Sequence, residues 1–457
     1  MHKKIVILGA GISGLAVAYL IKHREYDVTV LEKKNDVGGT IETSNENGFL
    51  FEHGVNNALD SNPIISKLVN ELNLEDQIVY ANKIANKRYI LRNNTLHALP
   101  LNPTAFLKTK LFSTKAKLRL ISEPLISRSK EGYYQSVAEF VSRRLGREIL
   151  DYAVNPFVAE VYAGNPENLS VKSAFPKLYA LEEDFGSLIV GTFKSVKQRR
   201  QQTNKPVESG KMFSFKDGMT VFPKALAKCL SNSVFTQAEV KKIEKHGNQY
   251  KIVGIHKGEK FSLLSDVVIS TVPAFAAAEL LGDLDETLKK HLLGIYYPPL
   301  LILYLVYKRK DINQPLDGFG FLVPTKEKKS FLASIWTSEI FPNTVFKDNA
   351  AFTIFVGGAR DPEILSIDKE ILFMRVSGEF ETIMKISGEP IYTSYKFWTQ
   401  SIPQYSIGHI QHENYFNQFE QKFPGIFLHG SYKGGMSFGD CIKNSALIAE
   451  KAVNYIS

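Results

Sequence analysis

Lys4-Ile5-Val6-Ile7-Leu8-Gly9-Ala10-Gly11-Ile12-Ser13-Gly14 is the stretch whose reading decides the fold. Residues 4–8 are a short apolar run that suits a buried strand, and an apolar helical pattern runs from residue 15 to about His23. Between them the glycines have separate tasks. Gly9 permits a tight turn, Gly11 lets backbone approach a pyrophosphate, and Gly14 lets the helix pack closely on the strand. The phosphates then meet the positive end of the helix. A second strand, residues 28–31, ends in Glu32, 18 residues after Gly14, where a carboxylate accepts hydrogen bonds from an adenosine ribose and disfavours a 2′-phosphate. Asp36-Val37-Gly38-Gly39-Thr40 then adds a second glycine pair that brings more backbone amides to the same phosphates. An NAD-only domain does not require that addition, so the pattern points to FAD.

The whole chain has 457 residues, 44% of them apolar and 11% aromatic, enough for a large core and about three domains. Its two cysteines, Cys229 and Cys441, lie far apart with no CxxC. This excludes a disulfide framework, a thioredoxin-type centre and cysteine-rich zinc modules. Redox chemistry must therefore reside in a bound cofactor, and no metal site is expected. No second GxGxxG and no CxxxxC occur, which weighs against a reductase fed by nicotinamide and against a disulfide reductase. Electrons are expected to enter from an organic substrate and leave to oxygen or another small acceptor, the logic of an oxidase. The 56 basic against 47 acidic residues give a formal charge of +9. That favours an anionic substrate or membrane surface and falls short of a nucleic-acid signature.

Further along, residues 63–72 have helical spacing and residues 89–96 suit a hairpin turning at Asn93-Asn94. The window 101–130 holds seven basic residues against one acid, interleaved with apolar ones such as Leu107, Leu118 and Ile121. Such a segment either lies on anionic lipid or is a solvated basic helix face. Residues 137–161 are expected to continue as helix, 194–208 as a polar loop, and 218–230 as another helix. Strands near 234–240 and 267–271 are expected to return to the first sheet, and residues 300–307 to form a buried strand. Residues 319–324, 331–336 and 353–356 are assigned to a separate sheet. The last segment is expected to close with a strand at 426–429, a glycine-rich turn and a helix at 440–455. No stretch is long and apolar enough to span a membrane. A glycine motif beginning at Gly9 is also expected to leave no room for a long cleavable leader.

Several short segments, in this order, resemble the oxygen-dependent protoporphyrinogen oxidase family within the amine-oxidase-like flavoprotein group. They include Asn86 to Leu91, Leu96 to Pro100, Arg143 to Gly146, Val161 to Pro166, Gly318 to Gly320, Ile402 to His409, and Gly430-Ser431 through Ile442. The resemblance implies an α/β fold (α+β overall): a Rossmann-like FAD-binding domain, a sheet-based substrate domain and a mostly helical, membrane-associating insertion. The corresponding boundaries are 1–80, 205–275 and 400–457 for the discontinuous FAD-binding domain, 81–100 and 276–399 for the substrate domain, and 101–204 for the helical domain.

Carried over residue by residue, it implies non-covalent FAD contacts at Gly9, Ala10, Gly11, Ile12, Ser13, Gly14, Glu32, Lys33, Gly39, Thr40, Gly54, Val55, Asn56, Asn57, Val240, Ser431, Met436, Ser437 and Phe438. The sequence departs from the family at Val55-Asn56-Asn57, where many relatives have proline followed by a charged residue, so a side-chain role for Asn56 is weakened. For a reduced tetrapyrrole with carboxylate side chains, the resemblance implies Arg88 as a propionate anchor. Leu322, Ile335 and Phe355 would hold the rings, and the backbone at Gly164 would approach the substrate. On sequence alone Arg88 reads as a solvated hairpin arginine and the three apolar residues as core. No catalytic acid or base is assigned.

The implied activity is oxidation of protoporphyrinogen IX to protoporphyrin IX in heme biosynthesis, by three two-electron steps returning electrons to molecular oxygen as peroxide. The alternatives are coproporphyrinogen III oxidation, whose branch tends to lack an arginine at position 88, amine oxidation, and a non-catalytic flavin-binding scaffold. Expected partners are the porphyrinogen, oxygen, a membrane surface and a downstream chelatase receiving product, with no nucleic acid. The oligomeric state stays open, a homodimer among the alternatives. The expected location is cytoplasmic, peripheral or monotopic on the inner face of the cell membrane.

Overall fold

The computed structural model describes residues 3–22, 26–203 and 210–457. The chain divides into two compact units, Met1–Tyr80 with Gly210–Tyr296 and Ile410–Ser457, and Ala81–Ser209 with Tyr297–His409. Residues 276–296 thus group with the glycine-motif unit, and residues 101–203 group with the segment carrying the larger sheet. The fold is a mixed α/β one.

In the first unit a five-stranded parallel sheet has the strand Lys3–Leu8 at its centre, between Tyr26–Leu31 and Val267–Ser270. Strands Val234–Phe235 and Ile426–Leu428 take the edges. Parallel strands are covered on both faces and therefore read as continuous apolar runs, as Ile5, Ile7, Val30, Val267 and Ile269 do, all buried. The helix Ile12–Ile21 packs in this core with Phe438–Ile456, whose Ser445 hydroxyl donates to the Ser13 carbonyl at 3.1 Å. The expected helix end at His23 lies outside the described residues.

The second unit is built on a seven-stranded mixed sheet. Its hairpin, Arg88–Arg92 and Thr95–Ala98, turns at Asn93 and Asn94, both with φ near +55° (52° and 55°), the left-handed conformation that asparagine tolerates in a tight hairpin turn. Strand Leu300–Lys308 runs buried through the sheet, paired with Asn349–Gly357 and Tyr392–Trp398. The separate-sheet assignment is met by Gly320–Leu322, Ala333–Ile335 and Asn349–Gly357.

Two local expectations are corrected. The helix expected over 137–161 is broken: Val137–Arg144 ends before Gly146, whose φ of +95° no right-handed helix accepts, and the chain resumes through a wide turn, Leu150–Val154, into Asn155–Tyr162. Residues 194–203, expected as loop, continue the helix Leu188–Thr203, while 204–208 lie outside the described residues. That helix starts on a fixed base. The fully buried Arg144 holds Glu123 at 3.0 Å and Glu182 at 2.8 Å, and Glu123 in turn accepts from the amides of Leu188 and Ile189. A carboxylate at the first turn satisfies amides that the helix itself cannot, and the Lys, Gln and Arg that follow are good helix formers.

Glu52 in the first unit is also buried, accepting from Thr43 Oγ1 at 2.7 Å and from the Met219 amide at 2.8 Å. Burial outweighs those two bonds and pushes its carboxyl pKa up to about 7. The folded pKa exceeds the unfolded one, so this contribution to stability is complete below about pH 4.5 and is lost as pH rises through 7, on the order of 3 kcal/mol. Urea unfolding of Glu52→Gln, which keeps the site neutral, should therefore depend less on pH between 5 and 8.5 than the parent. Equal slopes would mean that Glu52 is ionised in the fold throughout.

Candidate functional site

The first unit gathers every residue assigned to the cofactor. Gly9 has φ +97° and its amide donates to the Leu31 carbonyl at 2.8 Å, which turns the chain off the central strand. A Cβ on Gly14 would stand 2.0 Å from the Gly9 carbonyl oxygen, so only glycine lets the helix start there. Gly11 precedes that helix with extended backbone and no side-chain cap, leaving first-turn amides for a ligand. The second glycine pair returns to the same place. The Gly38 amide donates to the Ala10 carbonyl at 2.8 Å, and a Cβ on Gly39 would lie 3.1 Å from the Gly11 Cα. Gly54 packs on the Thr40 carbonyl, where a Cβ would come within 1.9 Å, which sets the Val55-Asn56-Asn57 turn beside Thr40. The Asn56 side chain bonds its own turn, donating to the Gly54 carbonyl at 3.3 Å.

Glu32 reaches the glycine turn. Its Oε2 accepts from the Ala10 amide at 2.7 Å and its Oε1 from the Lys34 amide at 2.9 Å. Lys33 is exposed and engages Glu239 at 2.9 Å, next to Val240 at a β-bulge. Ser431, Met436, Ser437 and Phe438 follow the C-terminal edge strand. Gly434 and Gly435 turn with φ +78° and +119°, and Ser437 caps the last helix by accepting from the Asp440 amide at 3.1 Å. A residue not foreseen joins the cradle: the Thr271 hydroxyl lies 2.7 Å from the Leu8 carbonyl and 3.1 Å from that of Gly9. Bare glycines, uncapped amides and a carboxylate at the end of the second strand fit an adenine dinucleotide diphosphate.

In the second unit, strand register puts Arg88 opposite Gly320, Gly320 opposite Ile335, Ile90 opposite Leu322, Leu322 opposite Ala333, and Ala333 opposite Phe355. Paired residues share a face, so Arg88, Leu322, Ile335 and Phe355 stand on one side of the sheet. Gly320 allows the close pairing at its centre, since a Cβ there would be 2.1 Å from the Ser334 carbonyl oxygen. Gly164 lies elsewhere in the unit, after Ala163 in left-handed conformation (φ 47°), and is walled by Gln404, whose buried amide donates to the Tyr162 carbonyl at 2.8 Å.

Arg88 is not a solvated arginine. Its Nη1 donates to both Glu160 oxygens at 2.7 Å, and its guanidinium stacks 4.0 Å from the centre of the Phe319 ring. The Glu160 side chain is 10% exposed, and burial holds its pKa up although Arg88 pulls it down. Nε and Nη2 of Arg88 bond no described residue, so one planar edge remains for a carboxylate. The other arginine on this strand face, Arg92, is committed to Glu148 at 2.7 Å and to the Leu111 carbonyl. Glu160 escaped the sequence reading, although a lone acid in the otherwise apolar helix Asn155–Tyr162 was its signal.

The model of flavin-containing amine oxidoreductases matches residues 12–450. The chain belongs to that family. It is 30% identical to protoporphyrinogen oxidase 2, chloroplastic/mitochondrial, of Arabidopsis thaliana over 99% of this chain and 94% of the relative. It is also 28% identical to coproporphyrinogen III oxidase of Bacillus subtilis (strain 168), over 99% and 98%. The solved structure of an Exiguobacterium sp. 255-15 protein assigned as a protoporphyrinogen oxidase superposes with a TM-score of 0.80 at 22% identity, covering 100% of this chain and 99% of that one, a likeness of fold. Family membership makes this chain an FAD-dependent oxidoreductase.

Removing one partner of a largely buried ion pair strands the other. Arg88→Ala should lower the urea-unfolding free energy of the FAD-loaded protein by about 2 to 3 kcal/mol, and Arg88→Ala with Glu160→Gln should recover most of it. A double variant as unstable as the single one would show that Glu160 does not depend on Arg88.

Proposed function

We propose that this oxidoreductase converts protoporphyrinogen IX and three molecules of oxygen to protoporphyrin IX and three of hydrogen peroxide. The observation that carries the reading is the composition of one sheet face: apolar side chains at Leu322, Ile335 and Phe355, and one guanidinium with an open edge. FAD, held by the residues assigned to it in the first unit, supplies a two-electron acceptor that oxygen reoxidises. Half-buried Phe355 supports the hydrophobic ring, with buried Leu322, packed on Leu111, Phe112 and Ile149, and buried Ile335 on the same sheet face, and Gly164 offers backbone without a side chain. The Nε and Nη2 edge of Arg88 takes a propionate, and Glu160 and Phe319 fix that guanidinium so that less ordering is required on binding. Glu160 touches no reacting atom in this account and is a positioning residue. No acid or base is assigned, because orientation of the reacting carbon is the main task left to the protein.

The relatives named coproporphyrinogen III oxidase make that substrate the rival. A single open cation among the described residues of this sheet face, half neutralised by Glu160, suits a ring with two propionates better than one with four. Aerobic incubation with each porphyrinogen, followed by porphyrin fluorescence against a heat-inactivated control, decides between them. The expected result is a higher kcat/KM for protoporphyrinogen, with about three peroxides per porphyrin. Faster coproporphyrinogen turnover would transfer the assignment to the rival, and no enzymatic turnover of either would remove it.

The reading includes a peripheral position on the inner face of the cell membrane, where an apolar substrate partitions. In the window 101–130, Leu101, Leu107, Leu118, Ile121 and Leu125 are exposed, Leu125 by 86%, among Lys108, Lys110 and Lys115. Exposed apolar side chains mixed with lysines suit an anionic lipid surface, and among the described residues no helix is long and apolar enough to cross a membrane. Anionic liposomes at low salt should float the protein, and Leu118→Ser with Leu125→Ser should reduce the floated fraction several-fold. Equal flotation by the variant would place the contact elsewhere.

A further inference from the structure

A second cavity-borne charge cluster lies in the sheet unit and is used by nothing above. It has a volume of about 520 Å³, the size of pocket that holds a small organic molecule. Arg360 lines it from a fixed backbone. The strand Asn349–Gly357 ends in Gly357 and Gly358, with φ +94° and +69°, and the turn Gly358–Arg360 is tied down where the amides of Gly358 and Ala359 donate to the Pro299 and Ala163 carbonyls at 2.9 and 2.7 Å. The Arg360 guanidinium makes one hydrogen bond, Nη1 to the Val323 carbonyl at 3.0 Å. Its Nε is buried with no partner, and desolvation pulls its pKa down to about 10. A buried charge in this state is costly unless an opposite charge reaches it.

Asp361, next in the chain, offsets part of that cost through its charge without outweighing the desolvation. Lys328, Lys329 and Arg375 line the same cavity, and neither they nor Arg360 has an ion-pair partner among the described residues. The acids in the lining are Asp361 and Glu363. Neighbouring Glu379 is committed to Ser330, accepting from its amide at 2.7 Å and its hydroxyl at 3.0 Å. Four cations against two acids leave the lining with a formal charge of +2. Apolar Phe331, Leu332 and Ile364 form part of the wall, so the cavity offers both an anion site and a surface for carbon.

We propose that this cavity is a binding site for a small organic dianion, a phosphate monoester or a dicarboxylate, whose charged group pairs with Arg360 and the flanking lysines. A guanidinium edge binds either oxyanion with two parallel hydrogen bonds. The charge of the lining selects a dianion over a monoanion, and the volume selects an organic body over a bare ion. The proposal is independent of the porphyrinogen reading, because it involves neither Arg88 nor the sheet face on which it stands.

Isothermal titration of the FAD-loaded protein at low salt with glycerol 3-phosphate, succinate, inorganic phosphate and acetate tests it. At least one organic dianion should bind saturably, at least ten-fold more tightly than acetate. Arg360→Gln should weaken that binding about ten- to a hundred-fold, the usual loss of a charge-assisted contact, and Lys329→Gln should weaken it about three-fold. The comparison of glycerol 3-phosphate with succinate identifies the charged group. Should Arg360→Gln fail to retain FAD or fold, Lys329→Gln decides alone. Absence of saturable binding by both organic dianions, acetate binding as tightly, or binding untouched by the substitutions would each overturn the proposal.

Discussion

A single strand register in the seven-stranded sheet determines what the second unit presents. Side chains alternate along a strand, so a slip of one residue would send every one of them to the opposite face. In the register found, Arg88, Ile90, Leu322, Ala333, Ile335 and Phe355 share a face, on which Ile90, Leu322 and Ala333 pack with Leu111, Phe112 and Ile149, while Tyr89, Leu91, Phe321, Val323 and Ile354 pack in the larger core on the other. The hairpin at Asn93-Asn94 and the close approach of Gly320 to Ser334 hold the register against slippage. What this face presents therefore depends on turn chemistry and one glycine as much as on the residues that line it.

The first unit rests on a comparable constraint. Gly14 against Gly9, Gly39 against Gly11 and Gly54 against Thr40 are three approaches at which a side chain would collide. Together they bring segments far apart in sequence to one turn and leave its amides open. Glu32 contributes at the same place through the Ala10 amide. Backbone geometry, more than any array of charged side chains, makes this a cradle for a dinucleotide.

Much of this was legible from residues 4–14, because glycine spacing constrains backbone directly and the apolar runs at 28–31 and 267–271 follow strand length. The Asn93-Asn94 turn was legible for the same reason. Events set by tertiary contacts were not. Gly146 breaks a helix whose flanking pattern reads as continuous, and the polar residues 194–203 are helical because Glu123, some seventy positions earlier, caps the segment from a buried network with Arg144. The partner of Arg88 was hidden likewise. A sequence shows a hairpin arginine and an acid in an apolar helix 72 residues apart, and only the fold joins them. Leu322 and Phe355 read as core in the sequence and pack with Leu111, Phe112 and Ile149 in the structure, since an apolar ligand surface and a core surface have the same composition.

The central claim is that one face of the sheet receives the tetrapyrrole and that Arg88 orients it. A crystal structure of the FAD-loaded protein with protoporphyrin IX is the most direct measurement. The account predicts the macrocycle against Leu322, Ile335 and Phe355, with a propionate about 3 Å from Arg88 Nε and Nη2 and the Glu160 pair intact. A macrocycle bound elsewhere, or on this face with Nε and Nη2 of Arg88 left open, would contradict it.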